Sequence, residues 1–223
     1  MCGRMAITLP HDAMAQMFDA SASNDLPDVP NYNVCPTTQV GVVTSADGLR
    51  RLRPMRWGFV PRWYDKVNGG PLLINARAET IAQKPAFAEA CRTRRCLVPV
   101  SGFYEWERSE KDKSLPWYVT RQDGAPMVFG SIWQDWGQGA DAVTSFAIVT
   151  TGANAAMAKI HHRLPVILTP DQWSLWLGEA GKGAATLMKN APEDALHFSR
   201  VDTAVNSNRA SGAALIKPLA NHA

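Results

Sequence analysis

The stretch VGVVTSADGLRRLRPMR occupies residues 40–56 and contains two extended runs around one turn. The strand-like runs, at residues 40–44 and 49–56, flank Ala46-Asp47-Gly48. An Asp-Gly pair between two such runs is typical of a tight hairpin, because these residues tolerate the left-handed backbone that the turn requires. The stretch therefore predicts a two-stranded β-hairpin.

Similar runs recur along the chain and outnumber the helical segments. Strands are predicted at residues 4–9, 72–77, 96–100, 105–106, 117–120, 127–133 and 145–150. Helices are predicted at residues 12–18, 85–92, 154–160 and 171–177, the last after Thr169-Pro170, which supplies an N-cap and a first-turn proline. Loops are predicted at residues 65–70, 109–115 and 178–185. Because strands and helices do not alternate regularly, we expect an α+β fold with a largely antiparallel, barrel-like sheet and peripheral helices.

Length and composition favour one domain over residues 1–223. The chain has 223 residues, of which 46% are hydrophobic and 19% charged, so it can build a large core and global disorder is excluded. No run of 18 apolar residues is present, and the start of the chain lacks the apolar segment of a signal peptide. We expect no membrane segment and a cytoplasmic protein.

The cysteine pattern argues against a zinc site. Four cysteines are present, at positions 2, 35, 91 and 96, and none forms a C-x-x-C pair. We interpret Cys35, Cys91 and Cys96 as core residues. The sequence also lacks the nucleophile elbow, the H-E-x-x-H motif, the P-loop and the dinucleotide fingerprint. We therefore expect neither a metal nor a cofactor.

Basic residues are clustered although the net charge is only +3. One cluster precedes Trp57 and comprises Arg50, Arg51, Arg53 and Arg56; the other comprises Arg92, Arg94 and Arg95. Basic residues interleaved with aromatic ones suit a groove for single-stranded nucleic acid. A solvated charged face explains the same pattern equally well.

Cys2 follows the initiator methionine directly, in the segment Met1-Cys2-Gly3-Arg4. Removal of Met1 would leave an α-amine, with a pKa of roughly 7.7–8.0, next to a thiol, with a pKa of about 8.5. Such a pair can condense with an aldehyde to a Schiff base and then close a thiazolidine ring. The alternative is that Cys2 is merely the second residue of the chain.

Three further segments place polar side chains among apolar ones. Asn75, Arg77 and Glu79 alternate, which would put them on one face of a strand, either lining a cleft or facing solvent. Glu105 lies among aromatic residues, where burial would raise its pKa and suit a general acid or base; a structural ion pair is the alternative. His161 and the next histidine lie at a predicted helix-to-strand junction, as site residues or as surface and capping residues.

Together these segments resemble the SOS response-associated peptidase (SRAP) domain family. The matching segments are MCGR (1–4), YNVCPT (32–37), RWGFVPRW (56–63), INARAET (74–80), RCLVP (95–99) with GFYEW (102–106), HHRLP (161–165) and Val205-Asn206. They occur in the family's order over nearly the whole chain. Cys35 and Leu164 stand where the family usually has Ala and Met, which are apolar exchanges.

The resemblance implies a protein that shields abasic sites in single-stranded DNA through a covalent thiazolidine crosslink. By this resemblance Cys2 reacts with the aldehyde of the ring-opened sugar, Asn75 orients the reactants, Glu105 transfers protons and His161 assists ring opening. Arg4, Arg77 and Arg163 hold phosphates, and Trp63 offers a stacking surface. The family name also implies removal of Met1 by autoproteolysis. The resemblance further implies a monomer that associates with the nucleoid when it is bound to damaged DNA.

Two other functions fit the same residues. An N-terminal cysteine with Asn, Glu and His neighbours can hydrolyse amides, as N-terminal-nucleophile enzymes do. The chain can also be a single-strand binding module without catalysis, for which Cys2 would be dispensable.

Overall fold

The computed structural model describes residues 2–108 and 114–220. Thirteen strands occur in these residues: β1 Arg4–Ile7, β2 Ala20–Ala22, β3 Asn31–Val34, β4 Gln39–Ala46, β5 Leu49–Trp57, β6 Asn75–Arg77, β7 Arg95–Val100, β8 Gly102–Arg108, β9 Ser114–Arg121, β10 Met127–Trp136, β11 Val143–Gly152, β12 Arg163–Pro165 and β13 Leu196–Arg200. The α-helices are α1 His11–Phe18, α2 Ala88–Thr93, α3 Ala155–Ala158 and α4 Trp173–Leu177. Short 3-10 turns lie at Gly139–Asp141, Pro170–Gln172, Ala184–Leu187, Thr203–Asn206 and Ala213–Ile216.

The hairpin predicted from residues 40–56 is confirmed. Strands β4 and β5 pair in antiparallel register from Gln39↔Arg56 to Ala46↔Leu49. Asp47 and Gly48 form the two-residue loop with φ of 53° and 76°. Both angles lie in the left-handed region, as the twist of a two-residue hairpin requires, and this explains why an Asp-Gly pair stands there.

The larger sheet curls into a ring. Its strand order is β12-β11-β10-β7-β4-β5-β2, with β6 also paired to β11. A short parallel pairing of β5 with β11, at Ser145↔Arg56 and Phe146↔Trp57, closes five of these strands on themselves. The Trp57 and Phe146 rings stack inside at 6.4 Å. The α+β prediction with a barrel-like, largely antiparallel sheet is therefore confirmed, and the helices lie at the periphery.

A second, five-stranded sheet has the order β13-β9-β8-β1-β3. Alternate residues of β8 face opposite sides: Phe103 joins the main core, whereas Tyr104 packs in a smaller cluster with Val201, Val205 and Leu215. The segment from residue 201 to 216 therefore covers the outer face of this sheet. Its inner face adjoins the core of the ring.

Several predicted boundaries differ from the structure. The strand predicted at 72–77 is reduced to Asn75–Arg77, with Leu73 only bridged to Phe59. Helix α2 begins at Ala88 rather than at residue 85, because residues 78–87 form turns and a bend. Pro85 also disfavours the helical backbone conformation at Lys84, the residue before it. Helix α3 ends at Ala158 rather than residue 160, although Asn154 caps it as an N-cap should.

Two other interpretations need correction. Residues 114 and 115 belong to β9 rather than to a loop, and the rest of the loop predicted at 109–115 lies outside the described residues. Cys96 is fully buried as expected, but Cys35 and Cys91 are only half-buried. Among the described residues, no helix combines the length and apolarity needed to span a membrane.

Candidate functional site

The four side chains to which catalytic roles were assigned come from both sheets and meet where the sheets adjoin. Cys2 precedes β1, which pairs with β8 at Arg4↔Tyr104 and so brings Cys2 beside Glu105. Asn75 starts β6, which pairs with β11 at Ile148. His161 lies two residues before β12, which pairs with the end of β11. The fold thus brings together residues that are scattered along the sequence.

Cys2 is fixed in place and shielded from water. It is 1% exposed, and the Asn75 Nδ2 donates a hydrogen bond of 2.9 Å to its carbonyl oxygen. Burial, and secondly the charge of Glu105, raises the pKa of the Cys2 thiol. The thiol is therefore held neutral near pH 7, and a base must remove its proton before it acts as a nucleophile.

Glu105 is a buried carboxyl group. It is 3% exposed on β8, and burial raises its pKa above the usual range for a carboxyl. A carboxyl group in this condition can hold a proton nearer to neutral pH and can deliver it to a reacting atom.

His161, rather than His162, is the histidine at the carboxyl group. Its Nδ1 lies 3.9 Å from Glu105 Oε1, and its side chain is 18% exposed. The backbone N–H of Arg163 donates to the same Nδ1 at 3.1 Å. His162 is exposed and stacks on the His161 ring with centroids 4.3 Å apart.

Arg163 is engaged with protein groups. The residue is 9% exposed, and its guanidinium forms a two-pronged ion pair with Glu79 at 2.8 and 2.9 Å. It also donates to the Thr150 carbonyl oxygen at 2.6 Å. The phosphate contact predicted for Arg163 would have to share these donors, so that role stays a prediction.

The prediction that Asn75, Arg77 and Glu79 share one face of a strand is wrong for Glu79. Strand β6 ends at Arg77, and Glu79 lies in the turn that follows. Asn75 is half-buried and reaches Cys2, whereas Arg77 is exposed. The positively charged Arg77 is therefore exposed to solvent, on the strand that also carries Asn75.

Arg4 is held by a network that sequence reasoning did not find. Its NH1 donates to Asn33 Oδ1 at 2.7 Å and to the Val205 carbonyl at 2.9 Å, and its guanidinium lies 5.7 Å from the Trp106 ring centroid. Trp106 in turn donates from Nε1 to Asn206 Oδ1 at 2.6 Å. The only sequence signal was that Asn33 and Asn206 lie within matched family segments.

A polar cleft of about 290 Å³ opens beside the histidines. It is lined by Trp106, Glu107 and residues 158–162. Of the four candidate catalytic residues, only His161 lines this cleft.

Trp63 and the arginine clusters lie in other surroundings. Trp63 is 59% exposed and contacts the ring of Tyr64 edge-on. Arg50 pairs with Glu179, and Arg56 is buried against the Gly58 carbonyl. Arg53, Arg94 and Arg95 likewise bond to protein groups: Thr144, Glu89 with Gln134, and the Trp176 carbonyl. These five arginines are engaged with protein groups, whereas Arg51 and Arg92 are exposed. The nucleic-acid groove predicted from the two clusters stays a prediction.

Comparison with known proteins places the chain in a family. The family model described as "SOS response associated peptidase (SRAP)" matches residues 1–208. The chain belongs to the SRAP family. Within residues 2–108 and 114–220 of this SRAP chain, no three His, Cys, Asp or Glu side chains converge as metal ligands would.

Named relatives match the SRAP chain over nearly its full length. The abasic site processing protein YoaM of Bacillus subtilis is 32% identical, with 97% of each chain covered. The abasic site processing protein YedK of Escherichia coli is also 32% identical, over 98% of this chain and 100% of its own. A crystal structure of a Bacteroides thetaiotaomicron protein shares the fold, with a TM-score of 0.86 at 22% identity, over 98% of this chain and 100% of its own.

Proposed function

We propose that this SRAP chain processes abasic sites in single-stranded DNA by forming a covalent thiazolidine crosslink through Cys2. One observation carries the proposal: Cys2 is 1% exposed, bonded through its carbonyl to Asn75 and placed beside the buried Glu105. A residue that was merely second in the chain would need no such setting. The names of the relatives, which call them abasic site processing proteins, support the choice of DNA substrate.

The chemistry needs only groups that this chain carries once Met1 is removed. The Cys2 α-amine attacks the aldehyde carbon of the ring-opened sugar, and loss of one water gives the C=N bond of a Schiff base. The thiolate then adds to that carbon: a C–S bond forms, and the nitrogen takes up a proton. The ring closes without an oxidant or a leaving group other than water.

Glu105 and His161 divide the proton transfers. Glu105, with its raised pKa, protonates the departing water and accepts the thiol proton before ring closure. His161 lies 3.9 Å away, where it can assist opening of the sugar ring. Asn75 holds the Cys2 backbone so that amine and thiol meet the aldehyde in one orientation.

DNA is held by two cations near the site and by one exposed aromatic side chain. Arg77 is exposed on the strand that carries Asn75, and Arg4 is half-buried beside Trp106. Phosphate contacts of this kind bind any sequence, which suits a lesion without a base. Trp63, 59% exposed, is assigned to stacking on a neighbouring base.

A denaturing gel tests the proposal. Protein with a free Cys2 amine, mixed with single-stranded DNA that contains one abasic site, should give a band that is retained after heating. A tag fused directly before Cys2 should abolish the band because it blocks the amine. Cys2→Ala keeps an amine but loses the thiol, so its adduct should survive only after borohydride reduction.

Three results would count against the crosslink. A heat-stable band from the tagged protein or from unreduced Cys2→Ala would exclude a thiazolidine. Binding without any band would favour a simple binding module. Amide turnover that depends on Cys2, without a DNA adduct, would favour the thiol hydrolase.

A further inference from the structure

The two adjacent histidines form a stacked pair of rings. The ring of His162 lies against that of His161, with the centroids 4.3 Å apart and the ring planes tilted by 32°. His162 is exposed, whereas the side chain of His161 is only 18% exposed. The outer ring, that of His162, therefore covers one face of the inner ring.

Backbone hydrogen bonds hold this part of the chain without the His162 side chain. The N–H of His161 donates to the Met157 carbonyl at 2.9 Å, and the His162 carbonyl accepts from the N–H of Ala153 at 3.1 Å. The N–H of Arg163 donates to Nδ1 at the edge of the inner ring at 3.1 Å. Replacement of the outer ring therefore removes the stack and leaves these backbone bonds in place.

Charged groups from three parts of the fold face the stacked pair. On β8, Glu105 Oε1 lies 3.9 Å from His161 Nδ1, and Glu107 lines the cleft beside both rings. Lys159, the C-cap of α3, lines the same cleft, and Arg163 begins β12. None of these groups changes when the outer ring is replaced, so a comparison of ring variants isolates the effect of the stack.

A neutral aromatic ring attracts a cation that lies against its face, within about 6 Å of the ring centroid. His161 becomes a cation whenever it takes up a proton, and the 4.3 Å separation lies inside that range. The stack therefore favours the protonated form of His161 over the neutral form. Two protonated rings would repel each other. The Glu105 carboxyl group faces His161, so the first proton goes to the inner ring.

We propose that His162 is a positioning residue whose ring holds His161 in place and stabilises its protonated form. The inference rests on the proposed function, in which His161 assists opening of the sugar ring. The proton of the sugar hydroxyl moves to His161, the ring C–O bond breaks as the aldehyde C=O bond forms, and the ring oxygen takes a proton from water. His161 then returns its proton to the solvent, so the step is an isomerisation in which His162 touches no reacting atom.

The test compares two replacements of the outer ring at saturating protein, with a single strand that contains one abasic site. His162→Ala removes the ring, and His162→Phe keeps an aromatic face that cannot titrate. We expect His162→Ala to slow crosslinking about two- to fivefold at pH 7, which corresponds to about 0.5–1 kcal/mol at 1.36 kcal/mol per factor of ten. His162→Phe should restore most of the wild-type rate.

His197→Ala is the matched control for these rates. His197 is also an exposed histidine, but it lies on β13, where its ring nitrogen is 3.0 Å from the Ser199 hydroxyl. This variant should crosslink at the wild-type rate. A wild-type rate for His162→Ala, or equal losses in His162→Ala and His162→Phe, would overturn the proposal, because the stack would then not carry the effect.

DNA affinity separates the stack from a direct contact with the strand. We expect both His162 variants to keep the wild-type affinity for an undamaged single strand and its dependence on salt. Weaker binding by both variants, with an unchanged rate at saturating protein, would show that His162 contacts DNA and would contradict the positioning role.

A measurement without DNA keeps the inference separate from the crosslink. NMR follows the histidine rings across a pH series, and the His161→Asn variant assigns the His161 signal. We expect the titration midpoint of His161 to fall by about 0.4–0.7 pH units in His162→Ala and to return in His162→Phe. An unchanged midpoint in His162→Ala would refute the inference even if the crosslink is confirmed. The expected shifts would support it even if no crosslink forms, and the proposed function alone would then fail.

Discussion

At the scale of a single residue, Glu105 combines a proposed role in proton transfer with a cost in stability. The carboxyl group is 3% exposed, and burial raises its pKa. The folded protein therefore binds this proton more tightly than the unfolded chain does. The contribution of Glu105 to stability is greatest in acid, and it is lost as the pH rises from the ordinary carboxyl range through the raised pKa.

We predict that Glu105→Gln melts at a higher temperature than wild type at pH 8 but at a similar temperature at pH 4. Glutamine fills the same space and cannot ionise, so it avoids the cost of a buried charge. Each kcal/mol corresponds to roughly 2–4 °C for a chain of this size. Thermal melts at both pH values measure the difference.

Glu89→Gln is the contrasting control for these melts. Hydrogen bonding to Arg94 lowers the pKa of the exposed Glu89 carboxyl. Its replacement should not raise the melting temperature at pH 8. Equal shifts of Glu105→Gln at pH 4 and pH 8 would show that the change reflects packing rather than charge.

At the scale of the element, β6 is only three residues long but presents two different side chains. Asn75 is bonded to Cys2, and Arg77 is exposed at the other end of the strand. A phosphate held by Arg77 would therefore lie close to the reacting sugar. Removal of the Arg77 charge should therefore lower both the affinity for DNA and the rate of crosslinking at limiting protein.

We predict that Arg77→Ala weakens binding to single strands of any sequence. Each phosphate contact contributes about −0.7 to the slope of log affinity against log salt, so the slope should become shallower by about that amount. Fluorescence anisotropy across a salt series gives the slope. Lys182→Ala, which removes an exposed cation outside both arginine clusters, should leave the slope unchanged. A wild-type slope for Arg77→Ala would place Arg77 outside the DNA path.

The elements also show which parts of the fold a sequence can predict. The hairpin of β4 and β5 was predictable because turn chemistry is local: Asp47 and Gly48 are the residues that the loop requires. The closure of the ring at Phe146↔Trp57 was not, because its partners are far apart in the sequence and the pairing leaves no local signal.

The same contrast holds for the candidate site. The resemblance supplied Cys2, Asn75, Glu105 and His161, and the structure brings these four residues together. The alternation of polar residues predicted that Glu79 lies on the same strand face as Asn75. This was wrong, because the strand ends at Arg77. The Arg163 guanidinium donates hydrogen bonds to Glu79 and to the Thr150 carbonyl. These contacts could not be predicted, because the spacing of polar residues along the chain does not show which distant residues meet.

At the scale of the whole molecule, Asn33 ties together distant parts of the chain. It is 8% exposed on β3 and accepts from Arg4 of β1. Its Nδ2 donates to the carbonyls of Ser207 at 3.1 Å and Ala210 at 2.6 Å, in the segment that covers the five-stranded sheet. The Asn33 amide therefore links Arg4 of β1 to the covering segment.

We predict that Asn33→Ala lowers the melting temperature and frees the covering segment. Leaving buried polar partners unmatched costs about 1–3 kcal/mol. Cleavage near residues 205–210 under limited proteolysis should become faster, whereas Asn24→Ala, at an exposed turn, should behave as wild type. Wild-type cleavage in Asn33→Ala would show that the segment is held by its apolar contacts alone.

The burial of Cys2 limits the time in which Met1 can be removed from outside. Once the chain has folded, Cys2 is 1% exposed, is hydrogen-bonded to Asn75 and lies beside Glu105, which in turn faces His161. A processing enzyme needs the nascent end while it is still extended, before the last of these groups has left the ribosome. At about 5–20 residues per second, this interval is roughly 10–30 s. We predict that a chain that passes it unprocessed must either cleave its own first peptide bond or remain without the amine on which the proposed trapping of the aldehyde depends.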